Sequence, residues 1–154
     1  MTEKIKSGLL NFELKFISVD EKIFRMFLET SSSTVNEIVI LPAVKIVMEK
    51  IVKKLKDKTK HGYIYNGKLS GIEVSVIQSL IGTPYISEKL ECLKFTKCKI
   101  VIRVDFCGGL NIPTKSIKPG QIIIPEFAYC GDGTSPNYIL KYYEKLKNLE
   151  FIEN

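Results

Sequence analysis

The sequence predicts an α/β domain of three layers, α/β/α, around a mostly parallel mixed sheet. Short β-branched runs read as buried strands: Glu37–Leu41 (EIVIL), Glu73–Ile77 (EVSVI), Ile100–Ile102 and Gln121–Pro125 (QIIIP). Amphipathic stretches with helical spacing separate several of them. The resulting order of strand, helix, hairpin, strand, helix, strand, loop, strand is that of an α/β domain. The 154 residues suit one domain, 1–154, large enough to bury a real core.

Taken in order, residues 9–16 alternate Leu10, Phe12, Leu14 and Phe16 against polar neighbours, the pattern of a half-buried strand. Glu21–Thr30 carries Ile23, Phe24, Phe27 and Leu28 at helical spacing, ahead of a polar Ser-rich loop. The strand Glu37–Leu41 stops at Pro42. Val44, Val47, Met48, Ile51, Val52 and Leu55 then mark a helix whose lysines form a solvated face. Lys60–Gly71 reads as a hairpin turning at Asn66-Gly67, and Glu73–Ile77 is the next strand. Gly82 and Pro84 mark a loop before a helix over Ile86–Phe95. A turn is expected at Lys118-Pro119-Gly120, a polar loop at Gly131–Ser135, and an aromatic amphipathic helix over Asn137–Asn148.

The stretch of greatest interest is Lys99–Leu110, KIVIRVDFCGGL. Its apolar run predicts a central strand covered on both faces, ending in Arg103 and a Cys107-Gly108-Gly109 corner. The carboxyl end of such a strand is where open α/β sheets present ligand-binding groups. A guanidinium there offers a planar fork of donors for phosphate or carboxylate. The same arginine could equally pair with an acidic neighbour, and on these residues alone both readings stand.

Composition narrows the classes. The net charge of +6 comes almost entirely from lysines spread along helix faces, with Arg25 and Arg103 the only arginines. That pattern favours a solvated surface over nucleic-acid binding. Four cysteines without a C-x-x-C pair, and a single histidine, His61, give no metal-ligand cluster. No apolar stretch is long enough to span a bilayer and the N-terminus has no apolar leader, so a cytoplasmic protein with reduced cysteines is expected.

From about Ile38 to Tyr138 the chain resembles the nucleoside phosphorylase family that contains uridine phosphorylase and the hexameric purine nucleoside phosphorylases. The matching pieces are Tyr65–Gly71 before a V-S-V strand, Ile81-Gly82-Thr83-Pro84 before a helix, and Ile102-Arg103-Val104 with Cys107-Gly108-Gly109. Further along come Ile117–Ile122 and Gly131-Asp132-Gly133-Thr134-Ser135. The resemblance implies a nucleoside phosphorylase-like α/β/α fold, dimers assembled into hexamers, and phosphorolysis of a nucleoside to base and ribose 1-phosphate. It makes Arg103 the phosphate-binding arginine. It makes Ile81, Gly82, Cys107 and Gly108 nucleoside-binding, and phosphate a co-substrate with no other cofactor or metal. A nucleoside or nucleobase is the implied ligand. The implied assembly is a homo-oligomer, or a hetero-oligomer with a full-length paralogue.

Several departures qualify that chemistry. The family's Gly-Asp-Pro-x-Arg phosphate loop reads Pro42-Ala43-Val44-Lys45-Ile46, without the acid or the arginine. The small pair after the phosphate arginine is Asp105-Phe106, which replaces a hydroxyl donor and sets a carboxylate against an anion site. Leu80, Tyr85 and Cys130 stand where the family has glycine, serine and arginine. His61 lies about one residue from an arginine the family lends to a neighbouring subunit, and is read as a surface turn residue. The family's C-terminal third, with its Met-Glu ribose motif, is missing, since Met48-Glu49 falls inside the first lysine-rich helix. The tail helix either covers the sheet edge thereby left open or makes a dimer contact. These departures lead to the expectation of a pseudoenzyme, non-catalytic on its own. The alternative is an active phosphorylase completed by a partner chain.

Overall fold

The computed structural model describes residues 16–109, 117–127 and 131–138. The chain divides into two compact units, Met1–Asp105 and Phe106–Asn154.

The first unit opens with helix α1 (Val19–Leu28), capped where the Ser18 hydroxyl accepts the Glu21 N–H at 3.2 Å. Phe24 and Leu28, one turn apart, are buried. Glu29 ends the helix in the left-handed conformation, φ 54°. A short 3₁₀ turn over Ser32–Thr34 leads to β1 (Ile38–Pro42), then α2 (Lys45–Lys54). Strands β2 (Lys56–His61), β3 (Ile64–Leu69) and β4 (Ile72–Ile77) follow, then α3 (Thr83–Leu93) and β5 (Ile100–Val104).

The strands form one sheet in the order β2-β3-β4-β1-β5. β1 runs parallel to β4 and β5, while β2, β3 and β4 are joined antiparallel, so parallel pairing makes up half of a mixed sheet. Alternation along β1 divides the core into two. Val39 and Leu41 pack with Phe24 and Leu28 of α1 and Cys92 and Leu93 of α3. Ile40 points the other way, with Val74 and Val76, against Val52 of α2 and Leu55 just past its end. Helices on both faces give the three expected layers.

Three expectations are corrected. Asn66-Gly67 is not a turn but lies inside β3, because the hairpin begins earlier, at Lys56. The turns are Gly62-Tyr63 and Ser70-Gly71, the latter with φ +52° and +85°, both in the left-handed region that a tight two-residue hairpin needs. Asn66 is held in the strand by its side chain, which donates to the Thr34 carbonyl at 2.8 Å and accepts from the buried Ser75 hydroxyl at 2.6 Å. Gly67 is required there because a Cβ would lie 2.7 Å from the Lys56 carbonyl.

β5 is the second correction. It is an edge strand rather than a central one, paired among the described residues with β1 alone, and Ile100, Val101 and Ile102 are exposed. The third concerns Gln121–Pro125 in the second unit, which forms no strand and exposes Ile122 and Ile124 almost fully. An isolated apolar segment gains nothing from extended geometry until a neighbour completes its hydrogen bonds.

The second unit does contain the expected turn, with the Gln121 N–H donating to the Lys118 carbonyl at 3.3 Å. Residues 9–15 of the first expected strand, and the tail helix beyond Tyr138, lie outside the described residues.

Candidate functional site

The carboxyl ends of three strands meet beside Arg103. Parallel pairing sets Arg103 of β5 opposite Leu41 of β1, and the Ala43 N–H donates to the Val104 carbonyl at 2.9 Å. On the other side of β1, the Ser79 N–H donates to the Pro42 carbonyl at 3.0 Å just after β4 ends. Ser79 is fully buried. Its hydroxyl accepts one guanidinium N–H of Arg103 at 3.1 Å. A second N–H, on the other terminal nitrogen, donates to Asp105 Oδ2 at 2.6 Å.

Arg103 therefore holds an internal counter-ion two residues along its own chain. The two side chains are 31% and 34% exposed. Ion pairs so open to water contribute about 0.2–1 kcal/mol, so an incoming dianion can compete for the fork. Two of the five guanidinium N–H groups are used in these bonds. The Asp105 charge nevertheless opposes any anion placed there, which sets the direction of the electrostatics against phosphate.

The loop after Ser79 carries the other expected residues of this unit. Leu80 adopts φ +63° and Gly82 φ +107°. Only the second is a glycine, so Leu80 bears the strain of a left-handed β-carbon. Ile81 is exposed, and Gly82 precedes α3, whose first turn holds Pro84. The Pro42–Ile46 segment provides a single cation, Lys45, 3.9 Å from Glu49 on an exposed face of α2. His61 ends β2, exposed and opposite Ile64.

Cys107 and Gly108 belong to the second unit. Cys107 is an exposed free thiol, and a Cβ on Gly108 would meet nothing within 4 Å. Burial pushes the thiols of Cys92 and Cys98 above the usual cysteine range, which leaves them poor nucleophiles. In the Gly131–Ser135 loop, Asp132 accepts the Ser135 hydroxyl at 2.6 Å and the backbone N–H groups of Ser135 and Thr134. These bonds hold its carboxyl below the usual range, and they serve the loop itself. Among the described residues no group of three His, Cys, Asp or Glu side chains could hold a metal ion, and no helix is long and apolar enough to cross a membrane.

Sequence reasoning placed Arg103 at a strand end and allowed it an acidic neighbour, which is Asp105, but it missed Ser79. The available signal was a serine two residues past Ile77, where the apolar run ends.

A family model described as the phosphorylase superfamily matches residues 37–150. The chain belongs to the phosphorylase superfamily. The family expected from the order of the motifs is thus the family found. No curated protein matches the chain. Solved structures similar to this phosphorylase-superfamily chain include a uridine phosphorylase from Vibrio fischeri, 23% identical, with 49% of this chain and 34% of that one covered and a TM-score of 0.44. Another is a purine nucleoside phosphorylase from Toxoplasma gondii in complex with immucillin-H, 22% identical, with 53% and 35% covered and a TM-score of 0.47. The chain spans about a third of the length of these structures.

Proposed function

We propose that this phosphorylase-superfamily chain is non-catalytic on its own and acts in nucleoside metabolism by binding a nucleoside or nucleobase or as a subunit of a hetero-oligomer. The observation that carries this reading is the occupied fork of Arg103. Phosphorolysis needs phosphate held against a ribose that gains positive charge, with several donors fixed before reaction. At these strand ends the Arg103 guanidinium is already shared with a carboxylate 2.6 Å away. Arg103 keeps the phosphate-binding role as a weak site. Ile81, Gly82, Cys107 and Gly108 keep the nucleoside-binding roles that the family resemblance gives them. The reading includes an oligomer in the cytoplasm and no cofactor, with phosphate a co-substrate only in the alternative of a completed enzyme.

The direct test is base release from uridine, inosine or adenosine by the full chain. We expect no release that depends on added phosphate, and phosphate-dependent release by the chain alone overturns the reading. A second reading, an active enzyme completed by a partner chain, draws on the exposed Ile100, Val101 and Ile102 along β5, an apolar edge open to another strand. Phosphate-dependent activity that appears only on mixing with a full-length phosphorylase, beyond the activity of that enzyme, selects it.

Phosphate binding separates the roles of the pair. Calorimetric titration with inorganic phosphate is expected to show several-fold tighter binding to Asp105→Asn, about 0.5–1 kcal/mol from removing a half-exposed competitor. Arg103→Ala is expected to lose the binding altogether. Equal phosphate affinity in wild type and both variants removes Arg103 from the site.

A further inference from the structure

A cavity lies in the first unit, lined by residues other than those of the Arg103 fork. It has a volume of about 290 Å³ and is lined mainly by Phe27 of α1, Tyr63 and Tyr65 around the start of β3, Leu80, and the lysines Lys60 of β2 and Lys89 of α3. Its walls are apolar and aromatic, and none of the residues lining it is an acid. A void of this size exceeds the packing gaps of protein interiors and stands at the small end of ligand pockets.

The two cations are arranged alike. The Lys60 ammonium lies 5.3 Å from the Tyr65 ring centre, and the Lys89 ammonium 5.5 Å from that of Phe27. Lys89 is 13% exposed and has its charge balanced by Glu88 at 2.6 Å. Lys60 forms no ion pair among the described residues, so its aromatic contact leaves a full positive charge at the cavity. At the cavity rim Glu29 interacts with the Tyr63 hydroxyl and raises the pKa of that phenol. An apolar slot with aromatic walls and one uncompensated ammonium selects a flat apolar body carrying a single negative charge.

We infer that this cavity binds a one- or two-ring aromatic carboxylate, with the ring between the aromatic walls and the carboxylate on Lys60. The Lys60 ammonium donates to the carboxylate oxygens, and Lys89, already neutralised by Glu88, supplies apolar stem and wall. The site is separate from the proposed phosphate fork in its residues and in the shape of anion it takes.

The chain has no tryptophan, so the fluorescence anisotropy of an added indole reports its binding without background. Indole-3-acetate is the probe, and indole-3-acetamide is its neutral counterpart of nearly equal shape. Saturable binding of the acetate is expected, with the acetamide about tenfold weaker, the loss of one charge-assisted contact. Lys60→Met, which keeps the length of the stem at an exposed strand position, is expected to weaken the acetate about tenfold while leaving the melting temperature unchanged. Inorganic phosphate should not displace the probe. Equal binding of acetate and acetamide, unchanged affinity in Lys60→Met, absence of saturable binding, or displacement by phosphate would each overturn the assignment. Displacement by phosphate would move the anion to Arg103. Because no step here depends on catalysis, loss of the proposed non-catalytic function would leave this result standing.

Discussion

Gly62→Ala is expected to destabilise the first unit by about 3 kcal/mol or more, the sum of backbone strain, a lost hydrogen bond and a steric clash. Gly62 sits at φ +54° in the turn between β2 and β3, and a Cβ there would lie 2.2 Å from the Leu28 carbonyl oxygen and 2.7 Å from that of Glu29. Those atoms are backbone at the end of α1 and cannot rotate away. The Tyr63 N–H donates to the same Leu28 carbonyl at 3.1 Å, so the hairpin turn caps the helix. Any shift that admits the methyl group breaks that cap. Gly71, at φ +85° and with nothing within 4 Å of where a Cβ would stand, is the control: its alanine variant meets strain alone, about 1 kcal/mol. Urea denaturation of both variants decides the matter. Equal losses would show that the close approach of hairpin and helix contributes nothing.

The second large effect is acid sensitivity at Glu21. Burial by itself would raise the pKa of this carboxyl, whose side chain is 15% exposed. Hydrogen bonds from Ser32, Arg25 and Ser31 outweigh burial and bring it from 4.5 down to about 2. Arg25 Nε donates to one carboxylate oxygen at 2.8 Å and the Ser32 N–H to the other at 3.2 Å, so Glu21 ties α1 to the 3₁₀ turn before β1.

A carboxyl whose pKa is depressed on folding stabilises the folded state fully above its unfolded pKa, near 4.5, and progressively less as the pH falls toward 2. Glu21→Gln is therefore expected to cost about 2 kcal/mol at pH 7, as for a hydrogen-bonded charge. The difference between wild type and variant should shrink between pH 4.5 and 2. Urea midpoints at neutral pH and in that acid window test it, and a constant difference would remove Glu21 as the source.

Much of the fold was legible because its causes are local. The apolar spacing from Val44 to Leu55 gives α2, and the EIVIL and EVSVI runs give β1 and β4, with boundaries close to those observed. The errors have long-range causes. Asn-Gly is a strong turn signal, yet Asn66-Gly67 is held straight by Thr34 and Ser75 and by the close passage of Lys56. Ser70-Gly71 supplies the turn instead. The runs IVI and QIII looked alike as buried strands. Burial depends on what pairs with a strand, and no sequence window contains that information. One became an edge strand, and the other no strand at all.

The site divides in the same way. Residue order alone determined the family, the α/β class and the position of Arg103 at a strand end followed by glycines, since motif spacing and hydrophobic period are written along the chain. Only the tertiary structure decided what the arginine does. It brought Ser79, 24 residues away, under the guanidinium and chose Asp105 as counter-ion over open solvent. It also gathered Phe27, Lys60, Tyr65 and Lys89 from four separate elements around one cavity. Contacts across a sheet depend on register and packing, and those are settled when the strands pair.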